Sequence, residues 1–237
     1  MRGVYVHIGA NRGMGCPCPL YSDDTFKFIP IREDFPSSES WTYEELGLKE
    51  VVPDDWKYAH YDPEFRSFTW GDHINKRTYL TRQLGQLDYV FFIATLQKVE
   101  SKTRPNWIAP DWSYCIIGYF VLESPVPYVT DIRYPISKEI QEQFPNNAHI
   151  RRDYKALKDY YGENLNDKSQ RFCIFKGTNE SKLLKRAIPI SDKNTPNELA
   201  KATLKNLNED TPRWWANSII DAEAVNKILD AIKKKNH

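Results

Sequence analysis

Along most of the chain the apolar positions alternate with polar ones or run together in short blocks. They recur at three- to four-residue spacing only in separate later stretches. VYVHI near the start and RFCIFK near residue 171 are short, β-branched and aromatic, the composition of strands. FKFIPI, Phe26 to Ile31, reads as another short strand, with Pro30 confining it to an edge or a strand end. DYVFFIATL and SYCIIGYFVLE are the longest apolar blocks, and the polar, proline-containing loop KVESKTRPNWIAPDW joins them. That arrangement predicts neighbours in one buried antiparallel sheet.

Helical spacing is predicted for NKRTYLTRQL, closed by Gly85 at a C-cap position, and for SKEIQEQF and RRDYKALKDYYG. ELAKATLKNL and DAEAVNKILDAIKKK then end the chain as amphipathic helices. Residues 34–59 carry scattered Pro, Ser and acidic side chains around WTYEELG, which suits a loop with a short helix. Strands come early and helices late, without regular βαβ alternation. The expected fold is α+β, with a mixed, mainly antiparallel sheet in a single domain spanning 1–237 and a helical C-terminal part from about 195 to 237.

Composition narrows the function classes. At 237 residues the chain is long enough to bury a substantial core. A net charge of +1 with 41% hydrophobic residues excludes both a disordered tail and a strongly basic nucleic-acid coat, though not a local basic groove. The aromatic share, 14%, supplies either core packing or a surface on which bases stack. No stretch reaches the roughly 20 apolar residues of a membrane span, and MRGVYVHIGANRG lacks the apolar region of a secretory signal. Of 4 cysteines, Cys16 and Cys18 form a C-x-C flanked by prolines, a poor match to zinc spacing. Reduced thiols in a cytoplasmic protein are the economical expectation.

HIGANRGMG places Gly9, Gly13 and Gly15 after an apolar run, a spacing that resembles the phosphate turn of short-chain dehydrogenases. Tyr154 and Lys158 match that family's Y-x-x-x-K pair, and Asn146-Asn147-Ala148 its asparagine motif. A phosphate turn works only when a helix follows it and points its N-terminus at the anion. Here Cys16-Pro17-Cys18-Pro19 follows, and Pro17 biases Cys16 towards extended backbone. The dehydrogenase reading is therefore the weakest of those weighed.

Three polar clusters remain. The first holds Asn11 and Arg12 and runs on to Asp23 and Asp24. The second is His60-Tyr61-Asp62-Pro63-Glu64-Phe65-Arg66, and the third is His149 with Arg151 and Arg152. In an extended segment His60 and Asp62 share a side, so one can ligate a metal or transfer a proton while the other orients it. The competing explanation is an ordinary turn in which Asp62 caps neighbouring N–H groups. Glu33-Asp34 and Asp23-Asp24 are acidic pairs that could take a divalent ion, although such loop pairs are usually solvated.

The sequence of an arginine-glycine turn, PCPL, FIPI, HYDP, GQLDYVFFIA and IIGYF resembles the third type of nucleotide modification associated domain. KGTNESKLLKRAIPIS is similar to that family's later strand-and-serine segment. The resemblance spans most of the first 190 residues and implies a link to DNA base modification in phage and prokaryotic proteins. It departs at Cys16-Pro17-Cys18-Pro19, at Leu87-Asp88 where Gly-Asp is expected, and at the insertion around Trp107. DYVFFIATL followed by CIIGYFVLE is also similar to the core of PUA-like domains, small barrels that hold a flipped or single-stranded base.

The expected function is action on nucleotides or nucleic acid in base modification. His60, Asp62 and His149 are the candidate catalytic groups, as acid/base residues or metal ligands. Asn11, Arg12, Arg66 and Arg151 are the candidate phosphate holders, because guanidinium forks match anion geometry. The alternative is a non-catalytic PUA-like module with Trp70, Trp112 and Tyr114 as stacking residues and no need for the His/Asp set. No cofactor or metal is specified by the sequence; a nucleotide or nucleic acid is the expected partner, and no membrane is.

Overall fold

The computed structural model describes residues 1–9, 16–34, 38–73, 84–100, 105, 111–124, 128–131, 134–151, 158–159, 162, 171–193, 195–204 and 219–236. Asn11, Arg12, Trp107, Arg152 and Tyr154 lie outside them, as do most of NKRTYLTRQL and RRDYKALKDYYG.

The strands are β1 (Gly3–His7), β2 (Cys18–Leu20), β3 (Ile31–Arg32), β4 (Trp41–Thr42), β5 (Tyr58–His60), β6 (Thr69–His73), β7 (Tyr89–Lys98), β8 (Trp112–Val121), β9 (Tyr128–Asp131), β10 (Arg171–Lys176), β11 (Lys182–Pro189), β12 (Ser191–Asp192), β13 (Thr195–Pro196) and β14 (Ile219–Ile220). The described helices are α1 (Lys138–Gln143), α2 (Glu198–Thr203) and α3 (Ala222–Asn236). The architecture is mixed α and β with antiparallel pairing dominant, as the hydrophobic pattern predicts.

The main sheet runs β11-β8-β7-β1-β14, with β2 paired to β7 beyond the end of β1. The predicted neighbours β7 and β8 pair antiparallel along nearly their whole length, whereas β1 and β2 both run parallel to β7. β7 is continuously apolar from Tyr89 to Ala94 because both its faces are covered there. Val90, Phe92, Ala94 and Leu96 point into one core, and Phe91 and Ile93 into the other. On β8 the register shifts between Phe92↔Gly118 and Ile93↔Ile116, so Ile117 is an extra residue and the inward parity changes across it. Beside this shift Gly118 lets Phe65 and β11 approach the backbone, because a Cβ there would lie 2.6 Å from the Phe65 ring and 2.7 Å from the Lys182 carbonyl.

One face of the sheet is covered by helices. Ala224, Val225, Ile228 and Ile232 make the inward stripe of α3, which Asp221 caps by accepting from Ala224 N at 3.0 Å. The C-terminal part also contains strands, since β14 pairs antiparallel with β1. The other face is covered by the loop-rich segment 26–65 and by two small sheets, β3-β5-β4 and β6-β10-β9. These small sheets carry the candidate site.

Several local expectations change. The described strands form open sheets, not a PUA-like barrel: β11 and β14 stand at opposite edges of the main sheet. Phe26–Pro30 is not a strand; Ile29 donates to the Cys18 thiol at 3.1 Å and Pro30 has no N–H, so no regular ladder forms. WTYEELG is a single capped turn, not a helix. Thr42 and Glu45 make a reciprocal capping box, and the chain reverses at Gly47, where φ is +68°. After the first glycine-rich stretch comes β2, so a strand stands where a dinucleotide turn requires a helix.

Candidate functional site

His60 ends β5, where the ladder pairs it with Ile31 of β3. Glu33 lies two residues beyond Ile31 and its N–H donates to the Tyr58 carbonyl at 3.0 Å. Glu33 is thus the diagonal cross-strand neighbour of His60 on the same face of this small sheet. Its Oε2 lies 2.9 Å from His60 Nδ1, and the two side chains are only 2% and 8% exposed. The acidic pair Glu33-Asp34 therefore splits: Asp34 is exposed, while Glu33 orients a buried imidazole.

Asp62 follows on the same side of the chain, and the Asp62–Pro63 peptide is cis. Asp62 Oδ1 accepts from the Gly71 N–H on β6 at 2.9 Å, and its Oδ2 lies 3.4 Å from His149 Nε2. His149 arrives from the turn after α1. Its ring meets His60 edge to face with centroids 4.6 Å apart, and it tilts over Phe172 of β10 at 4.2 Å. The His60, Asp62 and His149 ligand atoms all lie within 4.8 Å of one another. Residues far apart in the chain thus converge on one buried point between the two small sheets.

A second set of polar groups holds this arrangement. Glu64 is fully buried and accepts from Arg66 N, Ser67 N at 2.9 Å, Ser67 Oγ and Thr69 Oγ1 at 3.4 Å, pinning the turn after Asp62. Asn147 Nδ2 donates to Thr69 Oγ1 at 3.1 Å, while Asn147 Oδ1 accepts from His149 N at 3.0 Å. The asparagine motif that resembles a dehydrogenase signature is here a brace for His149. Thr69 and Gly71 carried no signal in the sequence, whereas Glu33 was visible only as half of an acidic pair, Glu64 only as a member of the second polar cluster and Asn147 only as part of the asparagine motif. Only the register of paired strands and one close backbone approach bring them in.

The other predicted residues occupy different places. Arg66 and Arg151 both stack on the Trp41 indole, at 4.4 and 4.3 Å from its ring. Trp41 pairs with Ala59 across β4 and β5 and meets Tyr61 edge to face at 6.0 Å. Strand alternation puts these residues on the face of β5 away from His60 and Glu33, so the arginines make a patch separate from the imidazole cluster. Burial pushes the Tyr61 phenol up to about 12, which keeps it protonated. Trp70 is a core residue stacked on Phe175 at 5.1 Å, whereas Trp112 and Tyr114 remain half-buried and pack edge to face. Asp23 holds Thr25 in an Asx turn, and Asp24 pairs with Lys235 at 3.0 Å. All four cysteines are free and buried.

Together, the open mixed sheet and the buried cluster of two histidines and an aspartate define a mixed α/β protein with a compact His/Asp centre. Residues 2–228 match the family described as nucleotide modification associated domain 3, and the chain belongs to that family. No curated protein and no solved structure gives a significant match to the chain. Among the described residues no helix is long and apolar enough to cross a membrane.

Proposed function

We propose that this protein is an enzyme acting on the base of a nucleotide or of a nucleic acid, with His60, Asp62 and His149 as its reacting centre. The observation that carries this reading is the convergence of those three side chains, within 4.8 Å, in a chain of the nucleotide modification family. Two imidazoles meet at one point, and a carboxylate orients each: Glu33 holds His60 and Asp62 faces His149. An imidazole fixed by a carboxylate is suited to activating a water or a substrate group near neutral pH. The separate Arg66–Trp41–Arg151 patch supplies stacked guanidinium groups that would track phosphates of a polynucleotide away from the reacting atom.

The test is nucleoside mass spectrometry on DNA, RNA and free nucleotides incubated with the wild type and with Asp62→Asn. A mass change in one substrate class that disappears in the variant supports the reading. Binding without a mass change in any class would overturn it in favour of a non-catalytic module.

A further inference from the structure

We infer that His60, Asp62 and His149 bind one divalent first-row transition-metal ion, with Glu33 as the outer partner that fixes the His60 ligand. This deepens the proposed reacting centre, but it rests on donor chemistry and geometry rather than on the nucleotide substrate. Two imidazoles and one carboxylate are a donor set that suits iron, cobalt, manganese or zinc, and three protein ligands leave coordination positions open for water or substrate.

Two observations converge on it. The first is spacing. Ligand atoms about 2.1 Å from a common ion lie roughly 3.0–3.4 Å apart at octahedral or tetrahedral angles, and His149 Nε2 and Asp62 Oδ2 are 3.4 Å apart. The second is the outer layer. Metal-bound histidines commonly hand their remaining ring nitrogen to a carboxylate, and Glu33 Oε2 sits 2.9 Å from His60 Nδ1, which leaves Nε2 as the nitrogen for the ion. Asp62 is held likewise, through Oδ1 by the Gly71 N–H.

The probe is cobalt(II), added to chelator-stripped full-length protein and followed by calorimetry and by its visible absorption bands. One ion per chain is expected, with bands shifted from those of the aquo ion. Asp62→Asn and His149→Ala should each weaken binding at least 100-fold, and Glu33→Gln about 10- to 100-fold. His7→Gln, on a histidine paired with Thr95 and Tyr114, should leave binding unchanged. Cobalt(II) should also raise the melting temperature of the wild type and not that of His149→Ala, which separates lost ligation from lost folding. Sub-stoichiometric binding by the wild type, or binding equal in wild type and Asp62→Asn, overturns the inference. The assay contains no nucleotide, so it can fail while base modification is confirmed, or succeed while no substrate reacts.

Discussion

The His149 ring lies directly on the backbone of Gly71: a Cβ at that position would come within 2.2 Å of His149 Cδ2 and 2.9 Å of Nε2. The same glycine donates its N–H to Asp62. One residue of β6 therefore sets the separation of two site residues, and it can do so only without a side chain. Gly71→Ala forces the imidazole away from Asp62. Overpacking of this kind typically costs about 1–3 kcal/mol, so the variant should remain folded, with a lowered urea midpoint, while turnover by the His/Asp centre is lost.

Asn147 bridges Thr69 and His149 from a fully buried position. Truncation to alanine takes the acceptor from the buried His149 N–H, a loss of about 1–3 kcal/mol, while the Thr69 hydroxyl keeps its contact with Glu64. The expected result is a clear fall in unfolding free energy by urea titration. A double-mutant cycle with Thr69→Val should show coupling, because the two changes remove a shared hydrogen bond.

The arginine patch makes a prediction of a different kind. Arg66→Ala and Arg151→Ala should weaken polynucleotide binding evenly across sequences and lower the salt dependence by about one unit each, the signature of phosphate contacts. Turnover on a saturating substrate should change little, since the patch faces away from His60. Filter binding at several salt concentrations checks the first expectation, and steady-state kinetics the second.

Alkaline stability follows from the buried thiols. Burial pushes Cys16 up to about 11 and Cys18 and Cys115 up to about 12, from an ordinary value of 9.0. The folded state thus keeps its protons where the unfolded state releases them. The stabilisation is fully present below pH 9 and is lost as pH rises from there towards 12. Each thiol removes about 1.4 kcal/mol per pH unit within that window. Melting temperature should be nearly flat between pH 7 and 8.5 as far as these groups are concerned and fall above 9, less steeply for Cys115→Ala.

The strands that hold the core were readable from the hydrophobic pattern. A block such as DYVFFIATL is almost continuously apolar from Tyr89 to Ala94 because both faces of β7 are buried, and that signal needs no knowledge of partners. The α3 stripe is readable for the same local reason, since its inward residues recur at helical spacing. His60 and Asp62 were also visible, as a pair two residues apart in an extended segment. His149 could be marked as a candidate, but nothing near it in the chain says where it points.

Long-range register supplied the rest. Glu33 looks like half of a solvated acidic pair until β3 aligns beside β5 and turns it towards His60. Gly71 carries no signal in the sequence until β6 brings it under the His149 ring. Arg66 and Arg151 look like partners of the histidines, yet alternation across β5 sends them with Trp41 to the other face. Hydrophobic periodicity is local, so it is written along the chain. The meeting of side chains across strands depends on which edges pair and in what register, and that is settled only when the two small sheets pack against the core.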